Sequence, residues 1–119
     1  MSKAPPWPTE LRLNPDRGVL TVSFDDDVRF ELAAEYLRVE SPSAEVKGHG
    51  PGQRQMVSAK SAVKIARLEP VGNYAVRIVF DDGHDSGLYS WAYLRELGEE
   101  YDDKWPAYLE EIAAQGLER

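Results

Sequence analysis

The sequence predicts a small α+β domain in which an antiparallel β-sheet of about five or six short strands is covered by C-terminal helices. Apolar residues alternate with polar ones through much of the first eighty positions, as at Leu20, Val22 and Phe24, which is the period of a half-buried strand. Near the C-terminus the period becomes helical. A single apolar stripe with i, i+3, i+4 and i+7 spacing is formed by Trp105, Tyr108, Leu109 and Ile112.

The strands of the first half are separated by recognisable turn residues. Alternation is found at positions 11–13, 20–24 and 28–32, with turn chemistry at 14–18 and a run of three aspartates at 25–27. These three segments predict an antiparallel meander. A short helix is predicted to follow over Ala33–Arg38.

Strands and then helices are predicted in the second half. A strand is expected from Val63 to Leu68 and another over 76–80, and the Asp82-Gly83 pair is a tight-turn signal before a short strand at 86–89. Ser90 is in position to cap a helix that starts near Trp91. For the final helix we expect Asp102 or Asp103 as the cap, with Pro106 in the first turn.

Size and composition limit the classes of function. A chain of 119 residues is the usual size of one domain, and we expect a single domain over 9–119 after a flexible arm at 1–8. The absence of cysteine excludes disulfides and thiolate metal sites and favours the cytoplasm. No apolar run reaches the roughly 20 residues of a membrane span. The net charge of −7 disfavours nucleic acid as a partner.

The segment from Val39 to Val57 is long for a loop in so small a domain, which is typical of functional or mobile loops. It contains Gly48, His49, Gly50 and Gly52 but has neither the spacing nor the Lys-Ser/Thr pair of a phosphate-binding loop. We therefore expect the glycines to allow tight or left-handed backbone conformations. The functional alternative is a partner-binding loop with His49 at its tip.

A second candidate is the acidic turn around His84. Asp81, Asp82 and Asp85 surround this imidazole in the sequence, so a metal site is one interpretation. The other is a tight hairpin in which His84 hydrogen-bonds a neighbouring group. We favour the structural interpretation because solvated acidic turns are common.

The same turn carries a family resemblance. Residues 80–97, together with 8–13, 30–38 and the glycine-rich stretch 48–52, resemble the gamma-butyrobetaine hydroxylase-like N-terminal domain, from about Pro8 to Gly98. In the hydroxylases of carnitine synthesis this domain precedes an iron- and 2-oxoglutarate-dependent catalytic domain. Similar domains are fused to the C-terminal end of P-loop ATPases of the iron–sulfur cluster carrier type. Stand-alone members have no established function.

The resemblance also implies a zinc site that this sequence does not reproduce. In the hydroxylases three cysteines and one histidine form a structural zinc module, and His84 matches that histidine. The positions that match the cysteines are Ser41, Ser43 and Val46. A serine hydroxyl is a poor zinc ligand and valine is none, so we expect no cofactor, with zinc at His84 as the alternative.

These observations favour a non-catalytic binding or adaptor domain that contacts another protein. The resemblance suggests an accessory role in a metallocofactor or iron–sulfur pathway. Two alternatives stay open: a metal-binding module that uses His84, Asp82 and Asp85, with His49 as an optional further ligand, and a small-molecule or enzymatic pocket beneath the 39–57 loop. The hydroxylase reaction itself is not expected, because His49 and His84 are the only histidines and the catalytic domain is missing.

Overall fold

The structure is a computed structural model that describes residues 7–42 and 57–119. Six strands occur in the described residues: β1 (Pro8–Leu13), β2 (Val19–Phe24), β3 (Arg29–Ala33), β4 (Ile65–Val71), β5 (Ala75–Phe80) and β6 (Leu88–Ser90). Three helices accompany them: α1 (Ala34–Val39), α2 (Trp91–Glu99) and α3 (Tyr101–Ala114). The predicted α+β class is confirmed.

The six strands form two three-stranded antiparallel sheets rather than one sheet, with orders β1-β2-β3 and β4-β5-β6. In each, the central strand carries the alternation seen in the sequence. Leu20, Val22 and Phe24 of β2 are buried, as are Val76, Ile78 and Phe80 of β5. The long segment after α1 separates the two meanders along the chain. Each sheet therefore forms from strands that are consecutive in the sequence.

The two sheets are joined at one point by a backbone hydrogen bond. The N–H of Ile65, at the start of β4, donates to the carbonyl of Arg17 at 2.9 Å. Arg17 occupies the left-handed region with φ 61° in the turn between β1 and β2. Its side chain also donates through Nη1 to the carbonyl of Ala66. Beyond this joint β1 and β4 do not pair, so within residues 7–42 and 57–119 each has one edge without a partner strand.

Helix α2 begins where the sequence predicts. The Ser90 hydroxyl accepts a hydrogen bond from the Tyr93 N–H at 3.1 Å and so caps the helix. Gly98 lies directly against the ring of Phe30 on β3. A Cβ built on Gly98 would come within 2.4 Å of that ring. The close approach of α2 to the first sheet therefore requires glycine at this position.

The expected start of α3 is wrong. The helix begins at Tyr101, after Glu100, and no side chain caps it. Asp102 and Asp103 lie in its first turn, where their charge favours the helix dipole, and Pro106 lies inside the helix. Packing explains the earlier start: the Tyr101 ring contacts Tyr36 edge-on, with centroids 4.9 Å apart.

The C-terminal stripe packs as predicted. Tyr108 and Ile112 are buried against Val39, with Trp105 and Leu109 partly buried beside them. The last residue is held as well, because Arg119 forms two hydrogen bonds with the buried carboxylate of Glu35, at 2.8 and 3.2 Å. No helix among residues 7–42 and 57–119 has the length and apolar character needed to cross a membrane.

The N-terminal arm is described only from Trp7 onward. Trp7 is half-exposed, and its ring meets that of Trp91 edge-on with centroids 6.3 Å apart. The Trp7 carbonyl accepts a hydrogen bond from the Asp25 N–H at 2.8 Å. Trp7 is thus docked on the domain, and β1 starts at the next residue.

Candidate functional site

The turn after β5 holds His84 inside the domain. Gly83 adopts φ +92°, a conformation that glycine reaches without a side-chain clash, and the Phe80 N–H donates to the His84 carbonyl at 2.9 Å. The Asp82 carboxylate accepts from the His84 backbone N–H at 3.1 Å. This turn directs the imidazole inward, where His84 is only 7% exposed.

One partner of the buried imidazole is Ser41, just after α1. The Ser41 Oγ and His84 Nε2 are 2.9 Å apart, and Ser41 is fully buried. Gly87 closes the other side, since a Cβ built there would lie 2.5 Å from Ser41 Oγ. The structure therefore brings together His84 and one of the three positions that the resemblance matches to zinc ligands.

The Asp82 carboxylate forms ion pairs with two cationic side chains rather than a contact with the imidazole ring of His84. Its Oδ2 lies 2.8 Å from Lys60 Nζ and 2.9 Å from Arg38 Nε. Burial by itself would raise the pKa of Asp82, but the Lys60 hydrogen bond, the His84 N–H and the Arg38 guanidinium together lower that pKa to about 2. Asp82 therefore stays ionised throughout the physiological range.

Two tyrosines, Tyr89 buried and Tyr93 partly buried, fix the backbone around Ser41 and His84. The Tyr89 hydroxyl donates to the Leu37 carbonyl and the Tyr93 hydroxyl to the Glu40 carbonyl. Burial raises the pKa of Tyr89 well above its ordinary value, so this hydroxyl stays a neutral donor. These bonds tie the end of α1 to β6 and α2, which indicates a rigid framework around Ser41 and His84.

A second feature is a groove of about 520 Å³ between the unpaired edges of β1 and β4. Its volume is within the usual range of ligand-binding clefts, roughly 300–1,000 Å³. The lining combines apolar side chains with two arginines and contains no carboxylate: Leu11, Leu13, Asn14, Pro15, Arg17, Ala66, Arg67 and Leu68.

Sequence reasoning did not predict this groove. Alternation identifies which face of a strand is buried but not which strands lie at the edge of a sheet. One signal was present: Pro70 lies inside β4, and proline within a strand is typical of an edge strand because it has no N–H to donate.

Most of the chain matches a known protein family. The family model described as gamma-butyrobetaine hydroxylase-like, N-terminal, matches residues 11–95, which is most of the chain. The chain belongs to this family. No protein among those with curated functions matches the sequence.

Solved structures of similar proteins agree with the fold. Two NMR solution structures are 43% and 45% identical to the chain, with TM-scores of 0.83 and 0.82. They cover 96% and 100% of this chain, and the match covers 90% of each of theirs. A crystal structure of a DUF971-family protein of unknown function from Acidithiobacillus ferrooxidans is 37% identical, with a TM-score of 0.64. That match covers 76% of this chain and 91% of the other.

The donor set around His84 does not fit the zinc site that the resemblance implies. Among the described residues, the side chain that hydrogen-bonds the imidazole is a neutral serine hydroxyl, whereas zinc in structural sites takes thiolates and imidazoles. Asp82 is engaged with cations, and Asp85 is exposed to solvent. Within residues 7–42 and 57–119, no group of three His, Cys, Asp or Glu side chains is placed to hold a metal. Ser43 and Val46 lie outside the described residues.

The predicted partner-binding loop also falls outside the described residues, so Gly48, His49, Gly50 and Gly52 stay predictions. The pocket that we expect beneath that loop stays a prediction too. A depression of about 280 Å³ does occur beside the acidic turn, lined by Lys60, Val63, Asp82 and their neighbours. His84 does not line it.

Proposed function

We propose that this chain is a non-catalytic binding domain that acts through contacts with another protein, accessory to a metallocofactor or iron–sulfur pathway. The observation that carries the proposal is the groove between β1 and β4, where two strand edges have no partner strand in the part of the chain that the structure describes. Such edges are ready templates for an added strand. The iron–sulfur context comes from the resemblance to domains fused to carrier ATPases.

The cluster around His84 supports the same interpretation, because its hydroxyl, imidazole and carboxylate groups are hydrogen-bonded within the domain. Among the described residues, Arg38 Nη1 is the one buried side-chain nitrogen or oxygen without a hydrogen-bond partner. Ser41 bonds His84, and Asp82 bonds Arg38, Lys60 and a backbone N–H. A serine at 0% exposure cannot reach a substrate as a nucleophile. In this proposal the family's zinc module has become a hydrogen-bonded core, and the domain works through its surface.

Site-specific photo-crosslinking in the native host tests the proposal. A photoreactive amino acid replaces Leu68 in the groove, and a matched variant carries it at Arg77, which is exposed on β5 but does not line the groove. We expect the Leu68 variant to crosslink one discrete protein of the iron–sulfur carrier or hydroxylase type. Crosslinks to no protein at either position would contradict the proposal.

A parallel measurement separates binding at the groove from binding at the cluster around His84. The Ser41→Ala variant removes the partner of His84 but leaves the groove intact. We expect this variant to give the same crosslinked product from Leu68 as the unmodified protein. Loss of the product in a folded Ser41→Ala protein would place the binding surface at the buried cluster instead.

A further inference from the structure

The backbone of β1 presents unused hydrogen-bonding groups to the groove. The Asn14 N–H donates to the Val19 carbonyl at 3.1 Å, so the alternation of an antiparallel pair directs the N–H and C=O of Arg12 toward β2. The same alternation directs the backbone groups of Leu11 and Leu13 outward, and both residues line the groove. The free edge of β1 therefore has two donors and two acceptors available.

Strand β4 presents its own free groups from the opposite side. Pro70 pairs with Val76 and has no N–H, so this is a non-hydrogen-bonded pair, and the backbone groups of Leu68 also point away from β5. In the described chain, no backbone hydrogen bond outside the sheet ladders reaches Leu11, Leu13 or Leu68. The groove is thus bordered by two strand edges with unsatisfied groups.

The charge of the lining distinguishes it from the rest of the molecule. The chain carries a net charge of −7, yet the groove contains Arg17 and Arg67 and no Asp or Glu. Each guanidinium has five N–H donors, and the contacts within the described residues use few of them. Arg67 donates through Nε to Glu69 at 2.6 Å, and Arg17 donates through Nη1 to Ala66.

From these observations we infer that the groove binds an extended segment of a partner protein with carboxylate side chains, which adds a strand to the edge of β1. This inference rests on the proposed binding function and names its partner chemistry. Leucines at 11, 13 and 68 contact the apolar side chains of the segment, while Arg17 and Arg67 donate hydrogen bonds to its carboxylates. At about 3.3 Å per residue, roughly four residues match the edge from Leu11 to Asn14.

A second copy of this chain fits the groove less well. Pairing of the same edge from two copies would bring Arg17 and Arg67 of one copy toward those of the other, and like charges disfavour that contact. Both copies also carry −7 overall. The arginine lining instead complements a carboxylate-bearing segment of a different protein.

The test uses the full chain and a synthetic eight-residue peptide in which glutamate alternates with valine. Binding is measured by fluorescence anisotropy and mapped by amide chemical shifts in a ¹⁵N NMR spectrum. We expect the largest shifts at Leu11, Leu13 and Leu68 and weaker binding at higher salt. A peptide with lysine in place of each glutamate is the matched ligand control, and we expect it not to bind.

Two charge reversals test the arginine contact. Both Arg67 and Arg77 pair with Glu69, at 2.6 and 3.7 Å, but only Arg67 lines the groove. We expect Arg67→Glu to weaken peptide binding about tenfold and Arg77→Glu to change it by less than about twofold. Leu13→Pro removes an outward-facing N–H and is expected to weaken binding as well.

The outcomes separate this inference from the general proposal. Equal losses for Arg67→Glu and Arg77→Glu, or no shifts at the groove at millimolar peptide, would overturn the inference. If the photo-crosslinked partner is still recovered in that case, the binding function stands with a different ligand chemistry. A concentration-dependent dimer that Leu13→Pro abolishes would also overturn the inference, in favour of a second copy.

Discussion

The Ser41 hydroxyl lies 2.9 Å from Nε2 of His84, although 43 positions separate these residues in the chain. The bond links the end of α1 to the turn that follows β5, and both side chains are buried. A buried polar group that loses its partner costs about 1–3 kcal/mol, which is more than the net gain from the bond itself. The pair therefore stabilises the family fold at the place where the resemblance implies a metal.

A double-mutant cycle measures this relationship. We expect Ser41→Ala and His84→Ala each to lower the free energy of unfolding, with a coupling of about 1 kcal/mol between them, determined by urea denaturation. Ser86→Ala is the matched control because Ser86 is exposed and lies near the same turn. A coupling close to zero would show that the two side chains act independently.

The second prediction concerns zinc. Because a serine hydroxyl is a poor zinc ligand, we expect the protein purified without chelator to contain no stoichiometric zinc and to show no thermal shift when zinc is added. The matched variant replaces Ser41, Ser43 and Val46 together by cysteine. We expect that variant to bind zinc and to gain stability, by about 2.7 kcal/mol when free zinc is 100 times its dissociation constant. Stoichiometric zinc in the unmodified protein would contradict the prediction.

The third prediction follows from the low pKa of Asp82. This pKa is about 2 in the folded protein, below the ordinary value of 3.8 for aspartate, so the unfolded state binds the proton more readily. The stability that Asp82 contributes is therefore fully present above about pH 4 and is lost as the pH falls toward 2. We expect Asp82→Asn to remove about 1–2 kcal/mol at pH 7, allowing for partial solvent screening, and little at pH 2.

Urea denaturation at several pH values checks this dependence. Asp85→Asn is the control, because Asp85 is in the same turn, is exposed and forms no ion pair with any residue of 7–42 or 57–119. A loss of stability that is the same at pH 7 and pH 2 would show that Asp82 contributes through its shape rather than its charge.

Local patterns account for most of the fold, while contacts between distant segments account for what was missed. Neighbouring residues alone are enough to predict the strands β2 and β5 and the Ser90 cap. The structure confirms all three predictions. The start of α3 depends on Tyr101 packing against Tyr36, which no local pattern reveals. The nearness of Ser41 to His84 was indicated by the family resemblance and not by a local pattern. The groove was missed because no local pattern shows which strands form the edges of a sheet.

The last prediction concerns the contact between α2 and β3. Within a helix, Gly→Ala ordinarily stabilises by roughly 1 kcal/mol. At Gly98 we expect the opposite sign, a loss of about 1–3 kcal/mol, because the added Cβ would lie 2.4 Å from the Phe30 ring. Denaturation of Gly98→Ala measures the loss, and Phe30→Leu in the same chain should recover part of it by making room. Close packing couples neighbouring sites, so we expect the two changes in the free energy of unfolding not to add. Additive changes would mean that α2 moves away from the sheet and so relieves the contact.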